Sequence, residues 1–365
     1  MLDYKNPKLV IETSTTENGS VAWKSPSNIA LIKYWGKHGI QLPNNPSISF
    51  TLNNAHTQTT LNYSPKKEKR LGVELDFYFE GKKNIAFEKK INSFLNSIVD
   101  IFPFLNQLNL KIDSSNSFPH SAGIASSASA MSALALCLCS LEQQLFGSLS
   151  NENDFRKKAS FIARLGSGSA CRSIYSTLAI WGQTKDIEKS SDLFAVPYIE
   201  SHKIFHNFHD DILIVSRDEK IVSSRAGHGL MKQNLYAENR YEQARQRLQH
   251  LLIALQAGDL ETFGEITESE ALTLHALMMT SSPPYILMHP NTLNIINALH
   301  EYRRETNLAV YFSLDAGPNI HLLYPDNIKD EVQKFTKEVL APFCNNDILM
   351  DMVGQGPSKL NDVLE

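Results

Sequence analysis

Four cysteines, three tryptophans and a formal net charge of only −4 are what this 365-residue chain is poor in. Cys137, Cys139, Cys171 and Cys344 show neither metal-ligand spacing nor the paired framework of a disulfide-stapled domain. Cys137 and Cys139 lie two apart on an expected helix, so they face different ways and read as buried small hydrophobes. The near-neutral charge gives no global basic field, so a nucleic-acid partner is not expected and any phosphate ligand needs a local site. No apolar run approaches the ~18 residues of a membrane span. The N-terminal stretch MLDYKNPKLVIETSTTENGS carries charges and a proline but no apolar core, so neither a secretory signal nor a membrane anchor is expected, and a reducing cytoplasm fits. The G-K-[ST] of a Walker loop is missing: the glycine-lysine pairs at 36–37 and 81–82 are followed by His38 and Lys83. The histidines form no H-E-x-x-H or triad spacing, which leaves them without a metal site.

What remains is ordinary globular composition, 42% hydrophobic and 20% charged, in a chain long enough for two domains or one large one. The first hundred residues alternate or are rich in β-branched and aromatic types, which predicts strands over 47–53, 56–63 and 72–79. Helical spacing predicts a helix over 90–102, and a short strand is expected at 108–113. A helix should run from the glycine-serine stretch near 123 to about Leu145. A second, over 151–165, has Asn151 or Asn153 as its cap. Beyond residue 190 the expectations are a strand at 211–216 and a long helical region from Met231 to Leu277, broken at 257–259. A proline-started helix at 290–306, strands at 308–314 and 319–324, and a helix at 330–343 complete it. The whole reads as two α+β halves joined near residues 185–205.

Four clusters carry chemistry. In GIASSAS, Gly123 to Ser129, small residues open a helix whose unpaired amides and partial positive charge suit a phosphate; tight packing alone would also explain it. SPSNIALIKYWGKHG (25–39) sets Lys33 and Lys37 four apart among apolar residues, on one face if the piece is helical; snorkelling surface lysines are the alternative. LGSGSACRS (165–173) carries Arg172 among glycine and serines, a site arginine or a flexible surface loop. SLDAGPN (313–319) sets Asp315 at the end of an apolar strand, where turn chemistry alone would place an aspartate too.

Together PSNIALIKYWGK, NNPSISFTL, FPHSAGIASSASA, RLGSGSACRSIY, KIVSSRAG and DAGPN resemble the GHMP kinase superfamily, and within it the mevalonate diphosphate decarboxylases, in order and over about residues 22–324. The resemblance implies a two-lobed α+β fold: a ribosomal protein S5 domain 2-like N-terminal half (1–195) that binds ATP, and an α+β C-terminal half (196–365), with a cleft between. It implies ATP-dependent decarboxylation of 5-diphosphomevalonate to isopentenyl diphosphate, with ATP as co-substrate, Mg2+, and a homodimer.

By the same resemblance, Asp315 is the catalytic acid-base group, Lys33 stands near it and the transferring phosphoryl group, Arg172 pairs with the substrate carboxylate, and Asn28 hydrogen-bonds nearby. Tyr34, Lys37, Ser167, Ser169, Ser224 and Arg225 surround the substrate. Gly123, Ile124, Ala125, Ser126, Ser127 and Ser129 hold the ATP phosphates, with Ser127 or Ser129 near Mg2+. Lys220 matches a lysine that reaches ATP, though SRDEK is also an ordinary charged turn. The chain departs from the pattern at His228, where methionine is common, and at Pro46, where serine is. His228 either donates to the diphosphate or fills the same space. A mevalonate 3-kinase, a phosphomevalonate decarboxylase and a non-catalytic binding protein of the same fold are the alternatives.

Overall fold

A computed structural model describes residues 4–68, 72–119, 124–218 and 222–360, without the side chain of Arg225. In chain order the first lobe contains β1 (Gly19–Ala30), the ribbon β2 (Lys37–His38) and β3 (Leu42–Pro43), β4 (Ser47–Pro65), β5 (Glu74–Phe79), β6 (Lys82–Lys83), α1 (Ile85–Ser97), β7 (Leu108–Asn116), α2 (Ser126–Phe146), α3 (Glu152–Gly166), β8 (Leu178–Trp181) and β9 (Ala195–Pro197). The second contains β10 (His209–Leu213), α4 (Ser224–Leu230), α5 (Ala237–Ala257), α6 (Leu260–Met279), α7 (Pro290–Thr306), β11 (Tyr311–Leu314), β12 (Ile320–Tyr324), α8 (Lys329–Phe335) and β13 (Ile348–Leu349), and the chain ends on the first sheet with β14 (Ser358–Lys359). The fold is α+β, as expected.

The first sheet runs β14-β1-β4-β7-β5-β6, with β8 on β4 and β9 on β8; the second runs β11-β12-β10-β13. β5 and β7 pair in parallel, bridged by α1, whereas β1, β4 and β7 are antiparallel. The chain returns at its end to the first sheet, where Ser358 and Lys359 pair with Lys24 and Trp23. α2 is rich in alanine and leucine and buried almost all round, from Ala128 to Glu142. It lies over β1 and β4 and is pinned by Trp23 Nε1 to Ser140 Oγ (2.8 Å) and by the buried Lys158–Glu142 pair from α3 (2.5 Å). A core containing Ile29 and Phe50 from the first sheet, Leu31 and Ile32 just beyond β1, and Ile212, Leu248, Phe263 and Tyr311 from the second element set joins the lobes.

Several expectations change. The two strands at 47–53 and 56–63 are one 19-residue strand, β4. Its first half pairs with β8 and its second with β7, and its register against β1 shifts where Pro26 faces His56 and Asn28 faces Thr51, the extra residues lying on β4. α1 begins at Ile85 rather than at Lys90, because the Asn84 side chain caps it from Phe87 N (3.0 Å). The segment 25–39 is not helical: β1 continues to Ala30 and the β2–β3 ribbon follows. Lys33 and Lys37 therefore share no helical face. The break expected at 257–259 is there: Gly258 adopts φ +76 and Asp259 caps α6. α3 is capped by Asn151, which accepts from Asn153 N and Asp154 N. The helix at 330–343 is α8 followed by a wide turn over 336–340 and a 3-10 turn at 341–344, where Pro342 brings no N–H. β1 and β8 are the longer strands not foreseen: most of β1 and all four residues of β8 are buried, which leaves little alternation to read, and the short strands β2, β3, β6, β9, β13 and β14 were not foreseen either.

Candidate active site

β1 delivers the first group. Its ladder ends at Ala30, Leu31 N and Ile32 N both reach Ile48 O (2.8 and 3.4 Å), and the next residue, Lys33, turns inward to 2% exposure. Its ammonium donates to Ser313 Oγ (2.8 Å) and to Asp315 Oδ1 (3.3 Å). Ser313 lies on β11 and Asp315 just beyond it, so the second sheet presents an acid to a lysine of the first. Burial pulls the Lys33 pKa down from its usual range, and Asp315 opposes that pull. The Asp315 side chain is 25% exposed, so the pair opens to solvent on the acid's side only.

Arg172 stands behind this pair. The segment 168–174 is a 3-10 turn that buries the guanidinium, which excludes the surface-loop alternative. Nη1 donates to Ser47 Oγ (2.6 Å), Nε to Ser49 Oγ (2.9 Å), and Nη2 to Asn28 Oδ1 (3.2 Å). Asn28 is fixed in turn by its own donation to Ser173 Oγ (2.7 Å). Burial pulls the Arg172 pKa down, while Asp315 opposes that pull. One N–H on each terminal nitrogen has no protein acceptor among the described residues, a fork suited to a carboxylate.

Beside them Tyr34 packs edge-on to Trp181 (4.6 Å between ring centroids) and against His228 (4.3 Å). Its hydroxyl is buried with no partner among the described residues, and burial raises its pKa. Gly168 makes the room: a Cβ there would lie 2.9 Å from that hydroxyl and 2.8 Å from Trp181. His228 accepts from Gly36 N at Nδ1 (2.9 Å) and stacks on Trp35 (4.6 Å). Burial, helped by Lys37, pushes its pKa down to about 3, so the ring is neutral with its proton on Nε2. Lys37 Nζ donates to Gln41 Oε1 (2.7 Å).

At the start of α2, Ala125 is left-handed (φ 46, ψ 39) and offers no side-chain cap, which leaves the first amides of a 21-residue helix for an anion. Ile124 is held by Ser27 Oγ donating to its carbonyl (2.6 Å). Ser126 is half-buried and Ser127 exposed, 3.2 Å Oγ to Oγ from Ser167, which ties the helix start to the Arg172 segment. Ser129 is different: its hydroxyl is fully buried against Thr57 Oγ1 (2.7 Å) and Ser126 O (3.2 Å), and so secures α2 to β4. Ser169 contributes its carbonyl to Asn28 Nδ2 (3.3 Å). Ser224 is exposed at the first turn of α4. Gly123 and Lys220 lie outside the described residues, as does the Arg225 side chain. Among the described residues no group of three or more His, Cys, Asp or Glu could hold a metal ion. A cavity of about 310 Å³ on the outer face of α5 and α6 shares only Arg240 with these groups and contains no carboxylate.

Sequence reading missed Glu270, Arg240, Ser47, Ser49 and Ser313. Glu270 accepts Lys33 N–H (2.9 Å) and two arginines, and Arg240 donates to Lys33 O (3.2 Å). Glu270 and Arg240 sit in long amphipathic helices, where charges read as solvated faces.

Two sheets sharing one core, a capless glycine-serine helix start and a buried lysine-aspartate pair define a GHMP kinase fold. The domain family of diphosphomevalonate decarboxylase-like N-terminal domains matches residues 25–193, and that of mevalonate 5-diphosphate decarboxylase C-terminal domains matches 211–362. The chain belongs to the diphosphomevalonate decarboxylase family. It is 31% identical to the diphosphomevalonate decarboxylase of Debaryomyces hansenii over 322 residues, 84% of this chain and 80% of that one. Its structure is similar to the mevalonate diphosphate decarboxylase of Staphylococcus aureus (TM-score 0.80, 28% identity, 96% of this chain and 100% of that one). It is also similar to MDDEF in complex with MVAPP, AMPPCP and magnesium (TM-score 0.79, 27% identity, 94% and 100%).

Proposed function

We propose that the protein converts 5-diphosphomevalonate and ATP to isopentenyl diphosphate, ADP, phosphate and CO2. The observation that carries this reading is the Lys33–Asp315 pair at 3.3 Å, with the Arg172 fork held behind it by Ser47, Ser49 and Asn28. A tertiary hydroxyl is a hindered nucleophile that needs orientation more than activation. Asp315 orients it and accepts its proton as the oxygen takes the γ-phosphoryl group. Lys33 keeps Asp315 ionised and offsets charge on the transferring oxygens. Phosphate then leaves C3 with the C–O electron pair. The C–C bond to the carboxylate breaks, its electrons form the alkene, and CO2 departs. The Arg172 fork fixes that carboxylate in the required direction. Ser127, with the nucleotide phosphates, would hold Mg2+, which would supply charge neutralisation during transfer.

Tyr34, Lys37, Ser167, Ser169, Ser224, Arg225 and neutral His228 form the diphosphate and substrate wall in this reading; the unpartnered Tyr34 hydroxyl supports it. Ile124 to Ser127, with Gly123 and Lys220, take the ATP phosphates. Four free, buried cysteines suit a reducing cytoplasm. A homodimer rests on the family resemblance, and sedimentation tests it. The deciding experiment is product analysis with ATP and mevalonate, its monophosphate and its diphosphate. ADP, phosphate and CO2 in equal amounts from the diphosphate is the expected result. ADP alone would make the protein a kinase.

A further inference from the structure

Lys33 sits where the regular backbone ladder of β1 has ended, so its peptide groups need partners from elsewhere. They find them on the helical hairpin of the other lobe. Glu270 Oε2 on α6 accepts the Lys33 N–H (2.9 Å), and Arg240 Nη2 on α5 donates to the Lys33 carbonyl (3.2 Å), which Asn45 Nδ2 also reaches (3.1 Å). Arg240 and Glu270 are locked to each other by two parallel bonds, Nη1 to Oε1 (2.7 Å) and Nη2 to Oε2 (2.5 Å). Both are essentially fully buried. Arg247, 19% exposed, adds a bond to Oε1 (2.8 Å) without touching Lys33.

We propose that Glu270 and Arg240 are positioning residues for the reaction: they grip the Lys33 peptide at both its N–H and its C=O and so set where the ammonium stands against Asp315. This rests on the functional reading above. A buried ion pair is a poor way to gain stability, since desolvation offsets most of its attraction. It is a good way to fix direction, because a bidentate arginine-carboxylate plane tolerates little rotation. The grip also crosses the lobes. A lysine of the first lobe and an aspartate of the second keep their spacing only if the lobes keep theirs, and the grip ties the backbone of one to helices of the other.

The same carboxylate acts on the lysine's charge. Lys33 is faced by Asp315 beyond β11, Glu270 on α6, Arg240 on α5 and Arg172 in the 3-10 turn, and the His275 ring on α6 lies against the Asp315 carbonyl (3.1 Å). Burial lowers its pKa, and Asp315 and then Glu270 resist that. Lys33, Arg240 and Arg172 stand against Asp315 and Glu270, three cations to two carboxylates, a net charge of +1 that suits an anionic substrate.

The test is steady-state turnover across pH with ATP and the diphosphate substrate, on Glu270→Gln, Arg247→Gln and Arg240→Lys. Wild-type products test the functional reading; the variants are scored only against wild type. Glu270→Gln should lower kcat by about 100-fold, the cost of an ångström-scale misplacement. KM for ATP should stay within about twofold, and the basic limb of the kcat profile should move to lower pH. Arg247→Gln weakens the same ion cluster away from Lys33 and should keep kcat within about threefold and the limb in place. A Glu270→Gln limb that coincides with wild type, or an Arg247→Gln loss as large as that of Glu270→Gln, would overturn the proposal. Should Glu270→Gln not fold, Arg240→Lys keeps the charge while losing the second donor to the Lys33 carbonyl. A kcat drop of about 10-fold at unchanged KM for ATP supports the grip, and unchanged kcat removes it.

Discussion

Lys33 Nζ stands 3.3 Å from Asp315 Oδ1, although 282 positions separate the two residues in the chain. The lysine is enclosed and the aspartate is open on one side. A cation that cannot leave and an acid that substrate can reach is the division of labour a phosphoryl transfer to a hindered alcohol calls for.

Replacing either member should stop the chemistry at little cost to nucleotide binding. Asp315→Asn and Lys33→Met are each expected to lower kcat by about 10²–10⁴-fold, the range for a lost general base or electrostatic stabiliser. Retention of more than a tenth of wild-type turnover in either variant would remove that residue from the mechanism. Stability should respond with a definite sign. Burial puts the folded pKa of Lys33 below its unfolded value of 10.5, so between the two the unfolded chain binds more protons and stability rises with pH. Lys33→Met abolishes this slope. Denaturant unfolding at pH 7 and pH 9.5 should show its advantage over wild type shrinking as pH rises.

Arg172 presents a planar fork, which a lysine lacks. Arg172→Lys keeps one charge but cannot satisfy Ser47, Ser49 and Asn28 together with a substrate carboxylate. CO2 release should fall by at least about 100-fold while KM for ATP changes less than about threefold. Rapid-quench measurement of ADP against CO2 locates the loss; equal wild-type rates of both would contradict the assignment.

Tyr34 carries a buried hydroxyl with no partner among the described residues, and such a group typically costs about 1–3 kcal/mol. Tyr34→Phe should therefore raise the unliganded melting temperature while raising KM for the diphosphate substrate. Calorimetry and kinetics together check it. A lower melting temperature with unchanged KM would show the hydroxyl serving the fold rather than the ligand.

His228, with its pKa pushed down to about 3, should stay neutral through the working range. Nuclear magnetic resonance of its ring should show no titration between pH 5 and 8. Because the unfolded chain's histidine takes up a proton below about 6.5, this residue's contribution falls as pH falls from 6.5 toward 3. His228→Met should accordingly gain stability relative to wild type at pH 4.5 compared with pH 7.5. A ring titrating near 6.5 would instead place a cation beside Lys37.

The sequence carried the chemistry further than the geometry. Asp315 at the end of an apolar strand, Arg172 among serines and the glycine-serine helix start were legible because each is a local pattern. So was the Gly258–Asp259 break between α5 and α6, which needs only a left-handed glycine and a capping carboxylate. The Lys33–Lys37 spacing misled, since a period of four suggests a helix while the segment is the end of a strand and a ribbon. The sequence pattern splits β4 between residues 53 and 56. The Asp351 carboxylate, from the far end of the chain, accepts the Asn53, Asn54 and Ala55 amides and carries the strand through.

By itself, then, the sequence supplied the candidates: an acid, two basic side chains, a glycine-serine helix start and an α+β architecture to hold them. Only the tertiary structure decided which of them meet. It set Lys33 Nζ 3.3 Å from Asp315 Oδ1 and left Ser127 rather than Ser129 as the exposed hydroxyl. It also recruited Glu270 and Arg240 from helices whose charges read as solvent-facing. The reason is that side-chain type is a local property, whereas burial and distance depend on how two sheets and a helical hairpin close on one another.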